Sequence, residues 1–204
     1  MLHGRRSLQN IDGNISNGTD FKEMFHYCSS IQNINGYKIG MFQMGKIYRN
    51  VPSLFYFNMD VLQNWNVSNG NNFILMFSNC SSLKNVDALK HWNVSNREAF
   101  AGMFSYCSSL QNVDGLKCWN VSNGANFGVM FQYCFFLQNI DGSLNWNVSN
   151  GTYFNGIFHY CSSLQNIYGL KNGNISKGKD FRLMFDGCSK LPNNKIPQNL
   201  KEKI

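Results

Sequence analysis

The sequence predicts an α/β fold of the solenoid type, in which short repeat units stack in one direction. The first observation is a phrase that returns every 27 residues and ends each time in a cysteine, at Cys80, Cys107, Cys134, Cys161 and Cys188. A constant period of this length is typical of repeat proteins whose units pack only on their neighbours. The second observation is that each unit contains one segment with helical periodicity and one with strand periodicity.

The repeat divides the chain of 204 residues into one stack and a short tail. We expect the stack to cover residues 1–190 and residues 191–204 to form a C-terminal cap or basic tail, because two prolines and several lysines break the period there. The stack is predicted to hold about seven units, near 8–30, 31–53, 54–82, 83–109, 110–136, 137–163 and 164–190. The second unit is irregular in spacing and contains Pro52, which disfavours a helix.

A short helix is predicted before each cysteine. Phe73, Met76, Phe77 and Cys80 lie at i, i+3, i+4 and i+7, which is one face of a helix, and equivalent residues recur in the other regular units. Serine and asparagine precede each segment and are typical of helix N-caps. Helices of about two turns are unstable alone in water, so we expect stacking to stabilise them.

The rest of each unit is predicted to be extended. Residues 92–95 alternate apolar and polar side chains, as in a half-buried strand, and dipeptides such as Asp114–Gly115 mark turns. Strands of successive units would then pair in a parallel sheet on one side of the stack, with the short helices on the other.

The seven cysteines raise the question of disulfides and metal binding. Six of them occupy one position in successive units, where packed helices would keep neighbours about 8–10 Å apart, beyond the roughly 7 Å that a disulfide allows. We therefore predict buried free thiols at Cys28, Cys80, Cys107, Cys134, Cys161 and Cys188. There is no CxxC pair or Cys/His cluster, so we expect no metal and no cofactor. Cys118 lies outside this column and is predicted to be the most exposed thiol.

Two further columns are predicted to be structural. The tryptophans alternate with valines, which favours a buried aromatic ladder over an exposed row that stacks on sugars or a peptide; they are Trp65, Trp92, Trp119 and Trp146. The next residue begins an Asn-Val-Ser glycosylation sequon, which we interpret instead as a ladder of amides that satisfies backbone groups between units. This column is Asn66, Asn93, Asn120 and Asn147.

Charge and motifs narrow the classes of function. The net charge is +7, but eight of the 18 Lys and Arg residues lie between Lys171 and Lys203, and none lies between Cys118 and Leu170. Nucleic-acid binding calls for a continuous basic stripe, so we expect no nucleic-acid partner. No stretch reaches the ~18 apolar residues of a membrane span. No catalytic triad, phosphate loop or metalloprotease motif indicates an enzyme.

The repeated phrase is similar to one found in a known family. The segment from Asn93 to Leu110, like the segment from Ser149 to Leu164, resembles the short repeat of BspA-type bacterial surface proteins. The resemblance implies a leucine-rich-repeat-like solenoid with a role in adhesion or protein binding at a cell surface. Similar repeats occur in mycoplasma lipoproteins, protists and large DNA viruses. Because the sequence shows no signal peptide or anchor, intracellular and virion locations stay open beside the cell surface.

The sequence therefore predicts a non-enzymatic repeat scaffold that recognises a protein or glycan through its sheet face. The candidate partner-binding residues are Lys84, Lys90, His91, Arg97 and Gln111. The alternative is a structural component that assembles with itself in a surface layer or virion, with Leu8–Gly13 as the joint. Self-association at micromolar concentration would distinguish the two hypotheses.

Overall fold

Repeat units stack in register along the molecule. The computed structural model describes residues 19–26, 62–63, 65–70, 72–96, 98–141, 146–170 and 173–204. Isolated parallel bridges join equivalent residues of successive units in the order Asp20, Asn72, Ala99, Asn126, Tyr153 and Asp180. From Asn72 onward each bridge advances by one sequence period, so the repeat in the sequence is also the repeat in space.

The predicted α/β class is wrong for the described residues. Their single α-helix, α1 (Gln198–Lys201), lies beyond the last unit of the ladder. Short 3-10 helices occur at Asp87–Leu89, Asp114–Leu116, Tyr168–Leu170 and Asn193–Lys195. Units pair through single bridge residues, so this part of the chain forms no parallel sheet backed by helices. The prediction of leucine-rich-repeat-like strand–helix units is therefore wrong, and the described residues instead form a ladder of six units built from turns.

The segment with helical periodicity is a series of tight turns. The Met76 N–H donates to the Phe73 carbonyl at 3.2 Å, and the Cys80 N–H donates to the Phe77 carbonyl at 3.1 Å. These bonds reach back three residues, as in β-turns, whereas an α-helix requires four. The intervening N–H groups point to the next unit: that of Phe77 donates to the Met103 carbonyl at 2.9 Å. Turns within a unit and bonds between units therefore share the backbone donors.

Left-handed residues prevent this segment from closing into a helix. Leu75 has φ 56° and Asn79 has φ 62°, and each occupies the third position of a turn, where a type II turn requires positive φ. The same conformation recurs in two columns, Glu23, Leu75, Gly102, Val129, Gly156 and Leu183, and Asn79, Tyr106, Tyr133, Tyr160 and Gly187. Glycine and asparagine at several of these positions are the sequence signal for turns.

The core consists of columns of stacked aromatic rings. Phe77 stacks on Phe104 with ring centroids 5.6 Å apart and planes 3° apart. Trp92 stacks on Trp119 at 6.5 Å and 5°, and it lies tilted against Phe77 at 6.1 Å. Such pairs contribute about 0.5–1.5 kcal/mol beyond the burial of their surface. Stacking of identical side chains therefore binds each unit to the next.

The unit of Phe21 lies directly against the unit of Phe73, although 52 residues separate them in the chain. Their rings stack at 5.5 Å, and the Phe21 N–H donates to the Asn72 carbonyl at 3.0 Å. No further unit intervenes between these two in the ladder of described residues. The predicted unit near 31–53 lies outside those residues.

A pair of valine variants tests the left-handed columns. Val129 has φ 50°, where a β-branched residue costs roughly 1–2 kcal/mol, so Val129→Gly relieves strain while it removes a half-buried side chain. We expect its free energy of unfolding to change by less than about 1 kcal/mol. Val121 is buried without positive φ, and Val121→Gly should cost at least about 3 kcal/mol. Urea denaturation measures the free energy of unfolding of both variants. Equal losses for the two would contradict backbone strain at Val129.

Candidate functional site

Four of the five predicted partner-binding residues lie exposed on the surface. Lys84 and Gln111 occupy equivalent positions in adjacent units, and the Gln111 N–H donates to the Lys84 carbonyl at 2.9 Å. Lys90 and His91 come just after the 3-10 helix Asp87–Leu89 and are also exposed. Arg97 lies outside the described residues. The structure thus brings Lys84 and Gln111 together in one column, while Lys90 and His91 lie farther along their unit.

The cysteine column lies inside the stack. Its described members are buried free thiols, namely Cys80, Cys107, Cys134, Cys161 and Cys188, whereas Cys118 is exposed and Cys28 lies outside the described residues. Each thiol also donates to a phenylalanine carbonyl of the preceding unit, as from Cys134 Sγ to Phe104 O at 3.2 Å. The cysteines therefore link successive units through polar contacts as well as packing, a role that their spacing in the sequence does not indicate.

The tryptophan column likewise combines packing with hydrogen bonds. Trp92, Trp119 and Trp146 are buried, and Trp65 is partly buried against the core. The Trp119 indole N–H donates to the Leu89 carbonyl at 2.8 Å, and Trp92 and Trp146 make the equivalent bond. The indoles are therefore part of the core and form no exposed row for a ligand.

The side chains of the predicted asparagine column accept hydrogen bonds within their own unit. Asn93 Oδ1 accepts the Ser95 N–H at 3.1 Å, and Asn66, Asn120 and Asn147 accept the equivalent serine N–H. This i to i+2 bond stabilises a local turn. The side-chain contact between units comes from a neighbouring position, where Asn123 Nδ2 donates to the Ser95 carbonyl at 2.7 Å.

An exposed aromatic surface extends across three units and includes the left-handed residues Tyr106, Tyr133 and Tyr160. We call it the tyrosine patch and define it as Tyr106, Tyr133, Tyr160, Phe135 and Phe136. Tyr133 stacks between Tyr106 at 4.5 Å and Tyr160 at 5.1 Å, and Phe135 meets it edge-on at 5.8 Å. Phe136 is 58% exposed. Four of these aromatic side chains are thus in mutual contact at the surface, and the exposed Phe136 follows Phe135 in the chain.

The sequence contains an indication of this patch, although the patch includes none of the polar residues predicted to bind a partner. The residues after the column cysteine are serines in most units, as at Ser108–Ser109 and Ser162–Ser163. After Cys134 they are Phe135 and Phe136. Since most other units stack with serine there, the two phenylalanines are not required by the repeat itself.

A groove of about 680 Å³ adjoins the patch and is lined by Val129, Gln132, Asn155, Gly156, His159, Arg182 and Leu183. His159 contacts Gln132 through Nδ1 at 2.9 Å and Asp186 through Nε2 at 3.0 Å. A neutral imidazole with its proton on Nε2 satisfies both contacts, because it donates to the carboxylate and accepts from the amide. The His159 ring also lies 5.6 Å from that of Tyr133, which connects the groove to the patch.

The charged pair beside the groove is fixed in its ionised form. The Arg182 guanidinium donates to both carboxylate oxygens of Asp180, at 2.9 and 2.7 Å. These hydrogen bonds lower the pKa of Asp180 to about 2. The groove therefore offers amide, imidazole and guanidinium groups next to apolar rings.

Clusters of metal-ligating side chains and membrane-crossing helices would each indicate a class of function in the described part of the chain. No three His, Cys, Asp or Glu side chains there are grouped so that they could hold a metal ion. No helix in the same residues has the length and apolar character needed to cross a bilayer.

Comparison with known proteins gives one family match. The sequence model of a family described as "Mycoplasma protein of unknown function, DUF285" matches residues 19–143 and, in an overlapping second match, residues 111–202. No curated protein and no solved structure matches the chain.

Alkylation tests the burial of the cysteine column. At pH 8, iodoacetamide should modify Cys118 in the folded protein, while Cys80, Cys107, Cys134, Cys161 and Cys188 react only after unfolding in urea, because they are buried. Peptide mapping by mass spectrometry identifies the modified residues. Modification of Cys134 in the folded protein at the rate of Cys118 would contradict this assignment.

The same thiols predict a loss of stability in alkali. Burial raises the pKa of Cys188 from 9.0 to about 12 and that of Cys134 well above 9.0. As the pH rises, the thiols of the unfolded chain ionise before those of the folded chain. The contribution of the buried thiols to the free energy of unfolding is therefore complete below about pH 9 and falls as the pH rises further. At pH 10 each such thiol should cost about 1 kcal/mol relative to pH 8.

The variant Cys134→Ser isolates one thiol, because serine can still donate to the Phe104 carbonyl but does not ionise in this range. Between pH 8 and pH 10, the free energy of unfolding should fall by about 1 kcal/mol less for the variant than for wild type, as measured by urea denaturation. Parallel pH profiles of the two proteins would contradict the prediction.

Proposed function

Because the chain belongs to the DUF285 family of mycoplasma proteins of unknown function, we propose that it is a non-enzymatic repeat scaffold that binds a protein partner. The tyrosine patch and the adjoining groove form the proposed binding surface. The observation that carries the proposal is the exposure of Phe135 and Phe136 at positions where most other units have serine.

The composition of the patch supports a binding role. Contiguous apolar side chains are costly to leave in water and commonly mark interaction surfaces. Tyrosine and phenylalanine are enriched where proteins meet, and tyrosine often dominates the binding energy. Stacking holds Tyr133 between its two neighbours, so little side-chain freedom remains to be lost on binding.

The arrangement of the rings favours a protein over a glycan. Sugar rings pack on open aromatic faces, but both faces of Tyr133 are covered by Tyr106 and Tyr160. The far side of Tyr160 meets Gly187, where an added Cβ would lie 2.7 Å from the tyrosine ring. Tyr133 and Tyr160 therefore present ring edges and hydroxyl groups, which suit the mixed apolar and polar surface of a protein.

The groove supplies the polar part of the surface. Gln132 and Asn155 line it together with His159 and Arg182, and the patch rings border it through the His159 contact with Tyr133. An aromatic centre beside hydrogen-bonding groups is the usual anatomy of a protein interface. By the resemblance of its repeats to BspA-type surface proteins, we place the encounter with the partner at a cell surface.

The repeat provides variants that test this surface with little change to the fold. Phe135→Ser and Phe136→Ser restore the serine pair found in other units, whereas Tyr153→Ser removes an aromatic residue that is 46% exposed and outside the patch. The immobilised wild-type protein is exposed to lysates of the source cells and to a glycan array. Proteins retained by wild type and Tyr153→Ser but lost with the double serine variant are purified and their affinities measured.

We expect the double variant to bind such a partner at least ten-fold more weakly, which corresponds to about 1.4 kcal/mol, with an unchanged unfolding midpoint. Retention that is the same for all three proteins would overturn the proposal. Binding confined to the glycan array would overturn the choice of a protein partner.

A further inference from the structure

The first left-handed column contains two glycines, and each follows an aliphatic residue of the preceding unit. Gly102 follows Leu75 in the column, and Gly156 follows Val129. A Cβ added at Gly102 would lie 2.6 Å from Leu75 Cδ2, which is closer than two carbons can approach. A methyl group of leucine therefore occupies the space that the missing side chain of Gly102 leaves.

The equivalent space at Gly156 is filled only in part. Its nearest neighbour is Val129 Cγ1, which would lie 3.2 Å from an added Cβ, because valine is one carbon shorter than leucine. The groove of about 680 Å³ lies here, with Val129 on one side and Leu183 on the other. Leu183 is 59% exposed although its side chain is apolar. We call the part of the groove between Val129, Gly156 and Leu183 the aliphatic gap.

The aliphatic gap is one side chain wide. The rings of Phe127, Phe154 and Phe181 belong to the three units that form the gap, and they stack at 5.7 and 5.3 Å. Val129 and Leu183 are therefore two such steps apart along the stack. Since apolar groups come into contact at about 4 Å, one layer of carbon atoms fits between these two side chains and a second layer does not.

We propose that a leucine-sized aliphatic side chain of the protein partner inserts into the aliphatic gap. The proposal rests on the proposed function, because it assigns an anchor residue to the partner that the patch and groove bind. The contact of Leu75 with Gly102 supports this choice, since the same fold already accepts a leucine at the equivalent position. Insertion would remove the apolar surfaces of Val129 and Leu183 from water, which favours binding.

The charged side chains at the groove favour an uncharged anchor. The Arg182 guanidinium is bonded to Asp180, and His159 is bonded to Asp186. A charged anchor would lose its hydration without gaining an unpaired counter-charge among the residues that line the groove. The Gln132 amide at the same groove can instead bond the main chain beside the anchor. An apolar space with a few polar groups at its rim is typical of a site for one side chain.

An NMR titration tests the aliphatic gap without the partner. The probe is N-acetyl-leucine N-methylamide, which carries one leucine side chain between two uncharged peptide groups. We expect saturable shifts of the Gly156 amide and of the Val129 and Leu183 methyl signals, with a Kd of about 1–10 mM. The Leu75 methyl signals serve as the internal control and should not shift. N-acetylglycine N-methylamide lacks the side chain and should give no saturable shift.

The variant Val129→Leu fills the aliphatic gap from within the chain, as Leu75 does over Gly102. Leucine also avoids a β-branched side chain at φ 50°, so we expect the unfolding midpoint in urea to be at least that of wild type. Binding of the leucine probe should weaken at least about five-fold. The matched control is Tyr153→Ser, outside the groove, which should bind the probe as wild type does.

Three results of the titration would overturn the proposal. The first is the absence of a saturable shift at Gly156 with about 20 mM leucine probe. The second is equal binding of the probe by wild type and Val129→Leu. The third is tighter binding of the corresponding phenylalanine derivative, which would exclude the aliphatic anchor.

Capture of the partner separates this proposal from the proposed function. Val129→Leu should bind the captured partner at least about ten-fold more weakly than wild type. Equal binding by Val129→Leu, with loss of binding in the double serine variant of Phe135 and Phe136, would overturn the anchor and leave the proposed function standing.

Discussion

The division of backbone N–H groups between two directions is the constraint on which the structure depends. In the turn segment before each column cysteine, alternate donors close turns within the unit, as from Met76 to Phe73, and the others reach the next unit, as from Phe77 to Met103. A chain can alternate in this way only if some residues adopt positive φ, because an uninterrupted right-handed segment would direct all its donors back into a helix. The two left-handed columns and the register of the stacked rings both follow from this requirement.

The regular period and the buried face could be read from the sequence, whereas the backbone could not. Phe73, Met76, Phe77 and Cys80 are all buried, as their spacing indicates. The same spacing arises from successive turns, however, so periodicity alone cannot separate a helix from a turn ladder. Gly102 and Gly156 mark a left-handed position, but Leu75 and Val129 occupy the same column without any local signal. Their conformation is imposed by the neighbouring units on which they stack.

The candidate site was harder to predict for a related reason. Lys84 and Gln111 attract attention because they are polar, but polarity on a repeat surface mainly reflects contact with water. Phe135 and Phe136 depart from the serines of other units, and only the structure shows that this departure lies beside the stacked tyrosines. The polar column next to the patch changes in the same region, from the Ser78–Ser105 pair to the Gln132–His159–Asp186 series. The ladder thus keeps its core constant while its outer columns vary from unit to unit.

The direction of the bonds between units has a mechanical consequence. In the turn segment of each unit, the N–H groups that do not close turns donate along the stack to the next unit, as from Phe154 to the Asp180 carbonyl and from Phe158 to the Met184 carbonyl. A force applied along the stack therefore extends these bonds directly instead of shearing many of them at once. The joints carry the load in series, so the weakest joint opens first and the remaining units stay folded. Under tension, such a protein would lengthen in steps, each releasing roughly one period of chain.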